Sequence, residues 1–427
     1  MNRYAVIGGS IWGNRGAEAM AVTTIGRVRD HDPEASFLIM SYFPGQDREL
    51  VNDATIRVID ATPTHTVIQF AFALLCRVAR LLHLRVPDAA LPNSVRLLRQ
   101  CRALFDVSGV SFHDGRLAVV AYNLMCVLPA LLLGVPVIRL SQAMGPFRHP
   151  LNRLPARWVT KRSLQTFARG RHTADYLRGL GVPEESWSVA ADVAFSYRAE
   201  HSLSDESSAE VAAMSKHLTA VRTTGTDVVA LVPSSLVHQK MADEGGDYVQ
   251  VLQDLIVALQ HNGLHVLVLP NATRAGEVAS RNNDLVVVEE LRIKNNASGG
   301  RVETDGISYV EFDLNTASIR SLVEPCALLI TSRFHAMVAG LALGVPTLVM
   351  GWSHKYEEVL EMFECADHAV DFSEAEHKLI SMAISILTER DQIRNRILER
   401  LPAVVASSMA QFELVDSQLK EKHERRS

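Results

Sequence analysis

The chain is poor in the features that announce several common classes of protein. Cysteine is scarce: Cys76, Cys101, Cys126, Cys326 and Cys365 are odd in number, scattered, and lack the spacing of a metal site or a disulfide framework. They read as small buried apolar side chains in a reducing cytoplasm. Basic residues are not in excess, with 43 Lys and Arg against 48 Asp and Glu and a net charge of −5. That argues against a dedicated nucleic-acid binder. No His/Cys cluster calls for a metal, and no cofactor is expected. The N-terminus enters a strand almost at once and leaves no room for a signal peptide, so the expected location is cytoplasmic, including the inner face of a membrane. Long apolar runs are few. Ala118 to Val135 is uncharged, but it holds Asn123 and Pro129 and runs into Gly134-Val-Pro136, as a helix packed on a parallel sheet would. Val67 to Leu84 carries Arg77 and Arg80 on an amphipathic pattern. It reads either as a helix packed on its domain or as one lying on a membrane surface.

What is present describes an ordinary globular protein, 48% hydrophobic and 21% charged. A chain of 427 residues is long for one core, so two domains are expected. Strands and helices alternate on both sides of a Ser- and Glu-rich stretch, which predicts an α/β fold. The expected architecture is two Rossmann-like domains with parallel sheets facing across a cleft, as in GT-B glycosyltransferases. The divisions are residues 1–200, a connection at 201–226, a second domain at 227–400, and a C-terminal helix with a frayed tail at 401–427.

One late stretch organises the reading. Ala327 to Ile330 is a buried strand, Thr331 or Ser332 a helix N-cap, Ala336 to Leu343 a helix stopped by Gly344, and Val345 to Met350 the next strand. In such sheets ligands bind beyond the carboxyl ends of the strands, where Ser332, Arg333 and His335 would sit. A cation, a proton carrier and a helix N-terminus there suit a small phosphorylated or carboxylated anion. The plain alternative is that Arg333 salt-bridges a neighbouring loop and His335 is a satisfied, half-buried histidine.

The run Ser332-Arg-Phe-His-Ala336, followed by Gly344-Val-Pro346 and Gly351-Trp-Ser-His-Lys355, resembles the C-terminal signature of the polysaccharide pyruvyl transferase family. Trp352 stands near the family's usual Tyr, and Lys355 matches its Lys. Gly13-Asn14-Arg15-Gly16-Ala17-Glu18-Ala19 looks like the family's Gly-Asn-x-Gly-Asp-Glu-Ala, with Ala17 in place of the Asp. It follows a strand and is glycine-rich, but no Gly-Lys-Ser/Thr follows, so it is not a nucleotide P-loop. Ser108-Gly-Val-Ser-Phe-His113-Asp114-Gly resembles a glycine-rich turn closed by an Asp. Ser141-Gln142-Ala-Met-Gly145-Pro resembles Gly-Gln-Gly-Ile-Gly-Pro, and Phe167-Ala-Arg169-Gly170 an Arg-Asp element that has lost its Asp. The likeness extends from the glycine-rich start to about Phe372.

That resemblance implies transfer of a pyruvyl group from phosphoenolpyruvate to a sugar of an exopolysaccharide, cell-wall glycan or lipid-linked oligosaccharide, forming a cyclic ketal and releasing phosphate. The first domain would then face the acceptor and the second the phosphoenolpyruvate. His335 would protonate the enol carbon, and Arg333 would hold the carboxylate or phosphate, with the N–H groups after Ser332 assisting. Lys355 is either a second anion contact or a solvated surface lysine. Glu18 and Asp114 are candidate bases, and Asp114 serves equally as a turn or cap residue. Asn14, Gly16, Gln142, Arg169 and Lys240 complete the candidate binding set, and no metal ligand is expected. Two other functions stay open: a glycosyltransferase using a nucleotide sugar, and a non-catalytic descendant that binds a glycan or a protein, which the loss of acids at Ala17 and Gly170 would favour. Peripheral membrane contact through Val67 to Leu84 would suit a lipid-linked acceptor.

Overall fold

The computed structural model describes residues 2–204, 208–274, 282–297, 304–351 and 354–424. The chain forms two compact units. The first comprises Met1–Ile11, Ala17–Leu203 and Val405–Ser427, and the second Trp12–Gly16 and Ser204–Val404.

The first unit is built on strands β1 (Arg3–Ile7), β2 (Ser36–Ser41), β3 (Ile56–Asp60), β4 (Ala103–Asp106), β5 (Val110–Ser111), β6 (Val137–Met144), β7 (Gln165–Ala168) and β8 (Trp187–Val189). They lie in the order β3-β2-β1-β4-β6-β7-β8, with β5 against β6, and every pairing is parallel. Helices cover such sheets on both faces, and for that reason β1, β2 and β4 are near-continuous apolar runs. The uncharged stretch forms the helix Leu117–Leu133, whose Cys126, Val127 and Ala130 join the core with Leu104 and Val137. Among the described residues no helix is long and apolar enough to cross a membrane.

The second unit repeats the plan with β9 (Val228–Val232), β10 (His265–Val268), β11 (Ile307–Tyr309), β12 (Leu328–Thr331), β13 (Thr347–Gly351) and β14 (Ala369–Asp371). Their order is β11-β10-β9-β12-β13-β14, again wholly parallel. Both sheets therefore reverse direction beside their first strand, between β1 and β4 and between β9 and β12. Those switch points open a crevice at the carboxyl ends of the strands.

Strand β11 is only three residues long, Ile307–Tyr309, and follows a short 3-10 turn at Thr304–Gly306. Domain boundaries differ from the sequence reading. The segment set apart as a connection holds a helix, Ser208–Thr223, which belongs to the second unit. Residues 401–427 are not a separate element: a single helix runs Arg390–Glu424, with Val405 onward in the first unit.

That helix is fastened by polar contacts. Ser141 lies in β6 with a left-handed backbone (φ 45°), next to a break in register between Arg139 and Gln142. Its N–H and hydroxyl both donate to Gln411 Oε1, at 3.1 and 2.9 Å, while Gln411 Nε2 donates to the Ala191 carbonyl at 2.9 Å. Removing the amide leaves the buried Ser141 N–H without its acceptor, while the hydroxyl can still donate to the Ala191 carbonyl at 2.8 Å. Gln411→Ala is expected to lower stability by about 1–3 kcal/mol in urea unfolding; an unchanged midpoint would mean that water replaces the amide at no cost.

Candidate active site

The switch point of the second unit carries the candidates Ser332, Arg333 and His335. Here the chain leaves β9 at Pro233-Ser-Ser235, β10 at Pro270-Asn-Ala272, and β12 at Ser332-Arg333. The Asp284 carboxylate is fully buried and gathers all three. It accepts N–H bonds from Ser235 at 2.9 Å, Asn271 at 3.3 Å and Ala272 at 2.9 Å. It also takes the Arg333 guanidinium: Nε donates at 3.1 and 2.9 Å, and Nη2 donates to Oδ1. Arg333 Nη2 reaches Ser235 Oγ at 3.1 Å as well, and Nη1 reaches Asn282 Oδ1 at 3.4 Å. The guanidinium plane is thereby fixed, with the side chain only 12% exposed.

Ser332 is tied from below. Its N–H continues the sheet to the Val232 carbonyl, and its hydroxyl accepts from Tyr248 Oη at 2.9 Å. Tyr248 Oη in turn accepts from the Ser234 N–H at 3.1 Å. Burial pushes the Tyr248 phenol well above its ordinary pKa, which keeps the hydroxyl a donor. Tyr356 Oη donates to the Ser332 carbonyl at 3.4 Å. The sequence reading made Thr331 or Ser332 the helix cap. The cap position is instead Arg333, and Thr331 Oγ1 accepts the Arg333 N–H at 2.9 Å. With the Ser332 N–H consumed by the sheet, the anion-facing donors expected there can only be those of the first turn of the helix Phe334–Ala342.

The N-terminal glycine loop arrives at the same place. Trp12–Gly16 belongs to the second unit, and the half-buried His335 side chain lies against Gly16. A Cβ on Gly16 would stand 2.2 Å from His335 Nδ1, so only glycine fits. Asn14 Oδ1 accepts the Gly16 N–H at 3.0 Å and closes the turn. Arg15 is the hook: its side chain is buried and meets both Asp313 oxygens at 2.6 Å. Its N–H donates to the Asn271 carbonyl at 3.2 Å, and its carbonyl accepts from Thr316 Oγ1 at 2.9 Å. The structure thus brings Asn14, Gly16, Ser332, Arg333 and His335 together. Lys240 lies on the helix Ser235–Asp243, its ammonium 4.5 Å from the Phe372 ring centre and 3.9 Å from Glu244. Lys355 falls in the first turn of the helix His354–Glu361, with a side chain outside what the structure describes; Trp352 also lies outside the described residues.

Four candidates belong to the first unit, and for three of them the structure shows structural partners. Glu18 is buried in the first turn of the helix Arg15–His31. Gln142 is fully buried in a network around Arg139. Its Oε1 accepts from Ser111 Oγ at 2.6 Å and from Arg139 Nη2, and Nε2 donates to the Asp106 carbonyl at 3.2 Å. Arg169 forms a buried ion pair with Asp192 at 2.8 Å, which removes it from the surface where a substrate would meet it. Asp114 accepts from the N–H groups of Arg148 at 2.7 Å and His149 at 3.3 Å and from Asn152 Nδ2 at 2.8 Å. Burial pulls its pKa up, but these hydrogen bonds outweigh that and hold it below the ordinary carboxylate value. It is a weak base and a good brace.

Asp284, Arg15, Asp313 and Tyr248 were not among the expected site residues. Arg15 sits at the variable position of its motif. Asp284 had no signal beyond standing before a helical pattern, since pairing over 49 residues is invisible to local periodicity. The sequence does contain one Asp-x-Asp, Asp30-His31-Asp32, but Asp30 pairs with Arg27 and Asp32 accepts from Asn2 and Tyr4. Among the described residues no group of three His, Cys, Asp or Glu is placed to hold a metal ion.

The topology is that of GT-B enzymes. UDP-GlcNAc 2-epimerase from Neisseria meningitidis, bound to UDP-GlcNAc, superposes with a TM-score of 0.56 at 12% identity over 98% of this chain and 100% of its own. HepE from Anabaena, in complex with UDP and glucose, gives 0.56 at 13% identity over 99% and 100%. Trehalose 6-phosphate synthase from Burkholderia multivorans gives 0.52 at 12% identity over 100% of both chains. At such identities the likeness is one of fold. The family is set by sequence: the model for polysaccharide pyruvyl transferase matches residues 14–354, and the chain belongs to that family. No curated protein matches it.

Asp284→Ala strands the Arg333 guanidinium and frees three loop N–H groups, so a loss of about 3–5 kcal/mol is expected in chemical unfolding. The double change Asp284→Leu with Arg333→Met should recover part of it. A single change within about 0.5 kcal/mol of the parent would show that the pair holds nothing together.

Proposed function

We propose that the protein transfers the pyruvyl group of phosphoenolpyruvate to two hydroxyls of a glycan acceptor, as a ketal. The observation that carries this reading is the seating of His335 against the Gly13–Gly16 loop at the start of a helix whose cap is Arg333. One proton donor, one oriented cation and a helix N-terminus share one crevice. Family membership supports the transferase activity and a glycan acceptor.

The chemistry follows from those groups. Phosphoenolpyruvate is an enol ester, and its C2 accepts a hydroxyl once C3 has gained a proton. Histidine is the side chain suited to deliver that proton near neutral pH, and His335 takes the role. The first sugar hydroxyl adds to C2, the C2–O bond to phosphate breaks, and the second hydroxyl closes the ketal. Of the two hydroxyl protons lost, one restores His335 and the other leaves with phosphate, so C3 ends as a methyl group. Arg333, Lys355 and the first-turn N–H groups offset the charge on carboxylate and departing phosphate. Because Asp284 fixes Arg333, the guanidinium needs no rearrangement when the anion arrives. Asn14 and Gly16 shape the wall against which His335 is held. No cofactor is required. The reaction belongs in the cytoplasm, where phosphoenolpyruvate is made, and lipid-linked oligosaccharides as well as polymers qualify as acceptors.

A second reading has support from the fold: two of the neighbours named above were seen with UDP-GlcNAc and with UDP and glucose. Calorimetry separates the two. Phosphoenolpyruvate is expected to bind the parent and His335→Gln alike, while Arg333→Ala loses most affinity. Phosphate release with a glycan acceptor should fall about 100- to 10,000-fold in His335→Gln. Gly16→Ala should bind and fail in the same way, because its methyl displaces the imidazole. Heat on adding UDP-glucose and none with phosphoenolpyruvate would replace the pyruvyl transferase by a glycosyltransferase.

A further inference from the structure

The helix Pro63–Leu81 in the first unit is inside out. The side chains it turns to the core are small or polar: Thr66, Gln69, Ala73, Cys76 and Ala79. Phe72 packs partly buried against the core, but most of the other large apolar residues point to solvent. Val67, Ile68, Leu74, Leu75, Val78 and Leu81 are each between 41% and 64% exposed, and Leu82 and Leu84 in the following turn are exposed to 63% and 62%. Their spacing follows the helical repeat, so they form one continuous stripe. A stripe of that size is far more than the scattered exposure of an ordinary surface. The helix packs on Leu117–Leu133, and the helix Pro150–Arg162 packs on that same neighbour from elsewhere, presenting Leu151 and Leu154 at 69% and 66% exposure.

Charge tells what covers this face. From Ala61 to Pro87 there is no Asp or Glu, while Arg77, Arg80 and Arg85 are present. Over residues 61–174 there are fifteen Arg and Lys against three Asp, in a chain whose net charge is −5. Those three acids are engaged: Asp106 with buried Arg139, Asp88 with Arg99, and Asp114 with backbone N–H groups. At the C-terminal end of the inverted helix a cavity of about 380 Å³ is lined by Arg80, Arg99, Arg102 and Lys422. A second copy docked on this face about a two-fold axis would set these arginines against themselves. An anionic lipid surface complements both features, taking leucines below the headgroups and arginines among them.

We propose that the first unit docks on an anionic phospholipid bilayer through the outer face of Pro63–Leu81 and the turn after it, with phosphate headgroups drawn to the Arg80–Arg102 cavity. The inference does not depend on the donor, and its test uses no reaction. The full chain is sedimented with vesicles of phosphatidylcholine alone and with vesicles that also contain phosphatidylglycerol. Binding is expected to be about tenfold or more tighter on the anionic vesicles and to weaken with salt. Leu75→Ser with Leu82→Ser should cut it about tenfold while leaving the circular dichroism spectrum and melting temperature unchanged. Arg77→Gln with Arg85→Gln should lower it on anionic vesicles only. Absence of binding, equal binding to both vesicles, or full binding by the leucine variant each overturns the proposal. So does a parent that sediments as a dimer and becomes monomeric in the leucine variant, which would assign the stripe to a second copy.

Discussion

A buried carboxylate organises the second unit. Asp284 is removed from water, and such a group is tolerated only when its lone pairs are filled and its charge is matched. It meets that requirement with N–H groups from the ends of β9 and β10 and with the guanidinium that follows β12. Three loops at a sheet's carboxyl edge are thus bound to one point. The cost of burying the charge becomes a constraint on geometry, because no loop can move without exposing an unmatched group. Arg333 is consequently less mobile than a surface arginine, and the start of the next helix, with His335, inherits its fixed position.

Much of this was legible in the sequence, and the reasons are physical. Parallel sheets covered on both faces write themselves as short apolar runs, so nearly every strand and the α/β class could be placed from residue type alone. Gly344, with φ 71°, ends its helix where the pattern said it would. Arg333, His335, Asn14 and Gly16 stood in motifs and do meet. Partnerships, however, are not written locally. Gln142, Arg169 and Asp114 have the right chemistry for a site, but their hydrogen bonds go to Arg139, Asp192 and backbone amides, where they hold a fold. The same residue types serve catalysis and packing, and only the identity of the partner tells them apart.

The two ways of reading Arg333, as an anion clamp or as a structural salt bridge, turn out not to compete. A guanidinium has five N–H donors, and the pairing with Asp284 uses one edge of the fork. An arginine clamped on one edge is a better electrostatic element than a loose one, because its orientation is set before the substrate arrives. The structural pairing is what would make the proposed chemical role efficient.

The two sheets share one strand order, yet their switch points are filled in opposite ways. Beside β1 the space is closed: a Cβ on Gly8 would stand 2.3 Å from Ser108 Oγ, and one on Gly9 would stand 2.8 Å from the Val107 side chain. The nearby charge, Arg139 with Asp106, is buried completely and stacked 4.9 Å from the Phe112 ring centre. Beside β9 the charge is left partly open, and a glycine loop is brought in to hold an imidazole rather than to seal a gap. Doubling a fold gives two crevices, but chemistry needs polar groups that are oriented without being used up. On that criterion the crevice proposed for the anionic donor is the one at Arg333 and His335, and the first unit is free to spend its polar residues on packing and its apolar ones on its surface.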